Sequence, residues 1–286
     1  MKHLNLISYF GGKFPHLEWL ISKFPKGNYH FVDAMCGSGN VALNIDYPLI
    51  TINDLNEDVV NLFEVLRNNY DQFLRAVYFT PFSRTELFRI ISGSYPDANK
   101  IERARRYFTR AQLGFGANGS QNRHHGFGSE YKLHTSNFYR VDNWGLKLNK
   151  LPLIVEKLRS FQIENKSIFD LFPKVNLPQT ILYIDPPYSF QSRSSRKRYT
   201  HEWNDDDHVR LAEMLKNANC LVAVSGYDSK FYADLFHDFY LSKNKPTRNS
   251  VKKKMVQECL WTNYNPDTLN NVLKLQFDDK PATNNQ

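Results

Sequence analysis

The chain is poor in the features that staple small or secreted folds. Its 286 residues include only three cysteines, Cys36, Cys220 and Cys259, far apart and with no Cys-x-x-Cys pair. That argues against a disulfide framework or a zinc ribbon and fits the reduced thiols of a cytoplasmic protein. No apolar run approaches the roughly 18 residues that a membrane helix needs. The first thirteen residues hold too short an apolar stretch for a secretory signal. No internal repeat is visible. No His-x-x-x-His pair or carboxylate cluster has metal-ligand spacing, so no metal is expected.

What is present is a globular composition, 41% hydrophobic and 23% charged. At about 150 residues per domain the length allows one large domain, or one domain carrying a sizeable insertion. The net charge of +8 is uneven. Residues 103–132 carry six basic side chains and one acid, 193–198 four and none, and 243–254 six and none. These windows exceed the net, so the rest of the chain is acidic. Basic segments on a mildly acidic body fit a nucleic-acid partner better than general solubility does. The nine histidines read as structural or solvated, although His124 and His125 lie in a basic window.

Hydrophobic patterning gives an α/β rhythm in two pieces. His30–Val32 reads as a buried strand ending at Asp33. A small-residue turn follows (34–40), and Leu49–Ile52 is a second strand ending at Asn53-Asp54. Asn56–Asn69 has a wide apolar helical face and an Asn at its cap position. From about residue 70 to 149 the pattern changes. Helices are expected near Ser83–Ile91 and Lys100–Leu113, followed by a glycine-rich loop or hairpin over 114–132. The rhythm then returns with a short helix over Leu153–Arg159 and strands at Phe161–Ile163, Ile181–Ile184 and Leu221–Val224. A helix is expected over Asn204–Asn217 and a short one from Asp228. Phe239–Leu241 and Met255–Tyr264 read as an antiparallel pair flanking a basic loop. The expected fold class is therefore α/β, a doubly wound sheet with an inserted, mainly helical segment. Residues 1–69 and 150–278 form the sheet domain, 70–149 the insertion, and 279–286 a disordered tail.

Ligands of open parallel sheets sit outside the carboxyl ends of strands, where Asp33, Asp54 and Asp185 fall. Gly37 and Gly39 let the backbone pass close to a ligand, and Asp54 follows at the distance of a ribose-binding acid. Ala42 stands where the dinucleotide fingerprint wants its third glycine, a permitted variant, so this turn alone leaves nicotinamide open. Phe10-Gly11-Gly12-Lys13 is no triphosphate loop, because Phe14 follows the lysine where Ser or Thr would hold Mg²⁺.

Asp185-Pro186-Pro187-Tyr188 is the most specific element. Two prolines after a buried strand stiffen the backbone and remove two N–H donors. Acceptors remain, the Asp185 carboxylate and the Pro186 carbonyl, beside one aromatic face. That arrangement suits the exocyclic amino group of a base. Acceptors on its hydrogens favour pyramidal nitrogen and stabilise the positive charge that grows there, an oxyanion hole with the sign reversed. Tyr188 can stack on the base.

These motifs together resemble the DNA N6-adenine methyltransferases of the Dam type, over almost the whole chain. Tyr9-Phe10-Gly11-Gly12-Lys13 resembles that family's N-terminal cofactor motif. Asp33 through Gly39 resembles its glycine motif, Asn53-Asp54-Leu55-Asn56 its ribose motif, and Asp185–Tyr188 its catalytic motif. The stretch from Asn118 to Lys132 resembles its recognition hairpin, and Arg248-Asn249-Ser250 with the strand Glu258–Tyr264 its late motif. One departure is plain. Lys166-Ser167-Ile168 stands where many members carry an Asp-Phe pair against the cofactor adenine.

The resemblance implies a Rossmann-like methyltransferase sheet with an inserted target-recognition domain. It implies transfer of methyl from S-adenosylmethionine to N6 of an adenine flipped out of double-stranded DNA, with one chain sufficient. Asp185, Pro186, Pro187 and Tyr188 would be catalytic. Tyr9, Phe10, Gly11, Gly12, Lys13, Asp33, Cys36, Gly37, Ser38, Gly39, Asn40, Asp54, Leu55 and Ile168 would hold the cofactor, whose ammonium would meet Asp33 or Asp185. Asn118, Asn122, Arg123, His124, His125, Arg193, Arg196, Lys197, Arg198, Arg248 and Lys252 would contact DNA. Methylation of RNA adenine or of cytosine N4, a catalytically silent DNA-binding module, and a nicotinamide dehydrogenase are the rivals. The last leaves the Pro-Pro-Tyr element and the basic windows without a use.

Overall fold

The computed structural model describes residues 3–93, 99–114, 119–120, 126–129, 140–189, 201–248 and 255–268. Among the described residues nine strands run in chain order: β1 (His30–Asp33), β2 (Leu49–Asn53), β3 (Phe161–Glu164), β4 (Thr180–Ile184), β5 (Leu221–Tyr227), β6 (Tyr240–Lys243), β7 (Thr247–Arg248), β8 (Met255–Val256) and β9 (Glu258–Thr262). Seven of them form one sheet in the order β3-β2-β1-β4-β5-β9-β6. Strands β1 to β5 pair in parallel, and β9 runs antiparallel to both its neighbours. The strand order reverses between β1 and β4. The two central strands therefore deliver Asp33 and Asp185 to the crevice where such sheets bind ligands.

Alternation along the central strands builds two cores. Phe31, Ile181 and Tyr183 face one side, packed under α1 (Leu17–Lys23), α2 (Glu57–Asn68), α3 (Tyr70–Tyr78), α4 (Arg84–Ile91), α5 (Lys100–Leu113) and α6 (Arg140–Arg159). Val32, Leu182 and Ile184 face the other, under α7 (Ile168–Val175), α8 (Asp205–Leu215) and α9 (Lys230–Leu235). Full burial of each such side chain stabilises the fold by about 1.5–3 kcal/mol. Caps fix the helix starts: Asn56 accepts from the amide of Asp58, Ser83 from that of Glu86, and Asn204 forms a capping box with Asp207. No helix among the described residues is long and apolar enough to cross a membrane.

The expected strands and the helices α2, α4, α5 and α8 are all present. Three features differ from the sequence reading. The helix expected over Leu153–Arg159 is the last part of the twenty-residue α6. Gly145 and Pro152 argue locally against a helix there. Trp144, Leu151, Ile154 and Leu158 nevertheless make one buried stripe against the core, and tertiary packing overrides propensity. Helices α1 and α3 have no counterpart in the sequence reading; each has two buried anchors, Leu17 and Leu20, and Phe73 and Val77. Helix α7 carries Pro173 and begins at the Ser167 cap. The basic segment after β6 opens as a two-stranded ribbon, β7 with β8, while β6 itself pairs with β9. Of the glycine-rich stretch, Gly114 and Phe127 form one antiparallel bridge.

Candidate active site

The crevice floor is the turn after β1. Gly37 and Gly39 hold φ of +50° and +66°, a region that L side chains avoid. The amide of Gly37 donates to Asp54 Oδ2 at 2.8 Å, and that of Asn56 to Asp54 Oδ1 at 2.8 Å. Asp54 therefore ties the glycine turn to the β2–α2 loop. Burial pushes its carboxyl up, and these two amide bonds oppose that push. Asn53 knits the strand ends together. Its amide donates to the carbonyls of Ala34 and Lys166, and its oxygen accepts from the Lys166 amide.

A Cβ on Gly37 would lie 2.7 Å from Tyr9 Cε1, whereas Gly93, at φ +68°, has nothing within 4 Å. Gly37→Ala is expected to cost about 1–3 kcal/mol of stability and to displace the Tyr9 ring. Gly93→Ala should show the backbone part alone. Equal melting temperatures for the two variants would count against the Tyr9 contact.

The cleft above this floor, about 1080 Å³ including its mouth, is lined by every residue that the sequence assigned to the cofactor except Gly39. Gly39 lies beneath it against Phe63. Asp33 is 1% exposed and its Oδ1 has no hydrogen-bond partner among the described residues; the same holds for the buried Asn40 Oδ1. Burial, reinforced by the neighbouring charge of Asp185, pushes the Asp33 carboxyl up to about 8. A buried acceptor left unsatisfied is costly in the free protein, and a cationic ligand reaching it would remove that cost.

One wall is aromatic. Ile168 is buried, and Phe169 stacks on Trp203 at 6.0 Å between ring centroids, with the Arg210 guanidinium 3.9 Å over Phe169. Ser167 lines the cleft at the start of α7. It caps α7, accepting from the Asp170 amide and donating to Asp170 Oδ2 at 2.6 Å. His201 and Trp203 also line the cleft.

The rim follows β4. Pro187 and Asp185 line the cleft; Tyr188 is buried behind them, packed edge-on to Tyr227 with centroids 4.6 Å apart. The Lys13 ammonium is buried at the same place. It sits 2.7 Å from Asp185 Oδ1, 3.4 Å from Glu258 Oε1, and 4.8 Å from the Tyr188 ring centroid. The Tyr188 hydroxyl donates to Glu258 Oε1. In the free protein a cation thus occupies the acceptor and the ring that a target amine would use. Burial raises the Asp185 carboxyl to about 6; Lys13 pulls it down and Glu258 pushes it up.

Sequence reasoning missed Asn53, Phe169, His201, Trp203 and Glu258 as site residues. The available signal for Glu258 was an acid opening the apolar run Cys259–Trp261. Of the residues assigned to DNA, Arg248 ends β7. Asn118, Asn122, Arg123, His124, His125, Arg193, Arg196, Lys197, Arg198 and Lys252 lie outside the described residues. Among the described residues no group of three or more His, Cys, Asp or Glu side chains is placed to hold a metal.

Residues 9–254 match the family described as D12 class N6 adenine-specific DNA methyltransferase. A Type II methyltransferase of Lactococcus lactis subsp. cremoris is 25% identical over 282 residues, spanning 89% of this chain and 93% of that protein. The DNA adenine methylases of Haemophilus influenzae and of Escherichia coli K12 are 21% and 22% identical, over 91% of this chain and 93% and 95% of theirs.

Proposed function

The chain belongs to the D12 class of N6 adenine-specific DNA methyltransferases, and on that premise we propose how its residues divide the work. The methyl donor is S-adenosylmethionine, which when bound supplies an electrophilic methyl group on a sulfonium. Asp33 Oδ1, buried at the end of β1 and without a hydrogen-bond partner among the described residues, would receive the donor's ammonium, and Asn40 Oδ1, buried likewise, belongs to the same cleft. Asp185 is the weaker candidate for that role because Lys13 already holds it. Asp54 keeps accepting capacity beyond its two amide bonds for the ribose hydroxyls. Leu55, Ile168, Phe169 and Trp203 offer apolar surface for a purine.

The substrate is an adenine in a specific sequence of double-stranded DNA. Stacking hides its amino group from any in-line donor, so the base leaves the helix. Its amine takes the acceptors of Asp185 and Pro186 and its ring meets Tyr188. Asp185 and the Pro186 carbonyl draw the amine hydrogens and leave the nitrogen lone pair toward the methyl. Alignment supplies much of the acceleration. No strong base is needed, because the methylated nitrogen is itself very acidic and its surplus proton passes to the Asp185 carboxylate or to water. The stretch 118–132 and the basic windows 193–198 and 243–254 contact DNA, and one chain carries every residue assigned here.

The observation that carries this reading is a single crevice holding both a buried acid, one of whose oxygens has no hydrogen-bond partner among the described residues, and the Asp185–Tyr188 rim. Incubating the protein and methyl-labelled S-adenosylmethionine with plasmid DNA and, separately, with RNA, then identifying the labelled base, tests it. N6-methyladenine at one recurrent sequence is expected. Label on cytosine, label only in RNA, or cofactor binding without transfer would each overturn it.

A further inference from the structure

Behind the rim lies a buried acid that the scheme above does not use. Glu258 opens β9, pairs across the sheet with Tyr227, and is 3% exposed. The rest of β9 is fully buried. A carboxylate in such a strand is costly unless charge and hydrogen bonds compensate it. Both compensating groups belong to the rim: the hydroxyl of Tyr188 and, at 3.4 Å, the ammonium of Lys13. The Tyr188 ring is thereby held at its far end, and its edge-on contact with Tyr227 fixes the tilt. A phenol donating to a carboxylate makes one of the stronger hydrogen bonds available to it, so the ring cannot swing away from the Asp185 side without breaking it.

We propose that Glu258 is a positioning residue for methyl transfer, clamping the Tyr188 ring through its hydroxyl and sharing the Lys13 ammonium with Asp185. This rests on the reading of Asp185–Tyr188 as the rim that receives the target amine. Glu258 itself touches neither base nor donor. Its second contact also has a use. When an amine takes the Asp185 oxygen, the Lys13 ammonium still has a carboxylate beside it.

The arrangement makes the acidity of Asp185 depend on Glu258. Asp185 faces Lys13 and Tyr188 directly, with Asp33, His16, Tyr183 and Tyr227 around it. Among these neighbours Glu258 is the acid that pushes Asp185 upward beyond the effect of burial. Glu258→Gln keeps an oxygen for the Tyr188 hydroxyl but removes the charge. Glu258→Ala removes both.

The test is kcat and KM across pH for the wild type, Glu258→Gln, Glu258→Ala, Tyr188→Phe and the Glu258→Ala/Tyr188→Phe double variant. Glu258→Gln is expected to keep most of kcat on the alkaline side and to shift the acid limb down by about half to one pH unit. Glu258→Ala is expected to lower kcat about 10–100-fold, with the donor KM within about twofold of wild type. The double variant should lose less than the product of the two single losses. An unshifted acid limb in Glu258→Gln overturns the proposal, as does a double variant whose losses multiply. If Glu258→Ala does not fold, the Glu258→Gln pH profile decides alone. A wild type that fails to methylate adenine would instead overturn the reading of the rim, which keeps the two failures apart.

Discussion

Asp185→Ala is expected to lower kcat by about 10²–10³-fold with little change in melting temperature. The argument for the rate is electrostatic. Positive charge develops on the adenine nitrogen as the methyl arrives, and Asp185 is the one carboxylate of the rim placed at the crevice mouth. The argument for stability is local. The Asp185 side chain keeps partial exposure, and Lys13, its partner at 2.7 Å, retains Glu258 at 3.4 Å when Asp185 is gone. The Asp185 carboxyl also stands at about 6 against an ordinary value of 3.8, with burial the main cause. A carboxyl raised in the folded state favours folding below the unfolded value and loses that contribution as pH rises through the folded one. Removing it therefore takes nothing from stability at neutral pH beyond its pairing with Lys13.

The same shift sets a kinetic signature. Only the carboxylate accepts both amine hydrogen and growing charge, so the rate should climb through about pH 6 and level above it. Asp185→Asn should lose that limb along with the rate. A fully active Asp185→Ala protein would remove Asp185 from the mechanism.

The glycine turn, the strand-end acids and the Asp-Pro-Pro-Tyr element were legible because each is local. A tight turn needs Gly37 and Gly39 at positive φ, and a buried parallel strand reads as an unbroken apolar run such as Ile181–Ile184. The sheet's strand positions followed from the same signal. What escaped was long-range. Trp203 matters because it stacks on Phe169, thirty-four residues earlier in the chain. Glu258 matters because β9 inserts between β5 and β6 and brings an acid seventy residues from Tyr188 onto its hydroxyl. Neither pairing has a sequence period. Helix α6 escaped for the opposite reason. Its buried stripe is periodic, but Gly145 and Pro152 spoke against it locally, and the core's demand for Trp144, Leu151 and Leu158 prevailed. The pairing of Lys13 with Asp185 was likewise invisible. The sequence placed one in a cofactor motif and the other in a catalytic one, and the fold joins the two motifs in the free protein.

Asp33→Asn is expected to weaken binding of the cationic donor by about 10²-fold near pH 8, the order found when one member of a buried charged pair is removed. Asp33 is unusual among the crevice acids. Asp54 accepts two backbone amides and Asp185 holds Lys13, whereas Asp33 Oδ1 has no hydrogen-bond partner among the described residues. With its carboxyl at about 8 in the free protein, Asp33 is mainly protonated at neutral pH. Pairing with an ammonium requires the carboxylate, so donor binding should release a proton. Affinity should then rise with pH toward about 8 and fall beyond it, where the donor's own α-ammonium, with an ordinary pKa of about 8, loses its proton. Calorimetry in two buffers of different ionisation enthalpy would count the proton. The Asp33→Asn protein should show neither the release nor the slope. Stability moves the other way. The Asp33 contribution to folding is complete below its ordinary value of 3.8 and is lost as pH rises through about 8. Without donor, the variant should therefore gain on the wild type as pH climbs toward 8 and keep that gain above it. One substitution that stabilises the free protein at alkaline pH while abolishing pH-linked donor binding is not what a merely structural acid would produce. Equal affinities for the two proteins from pH 6 to 9 would take the ammonium away from Asp33.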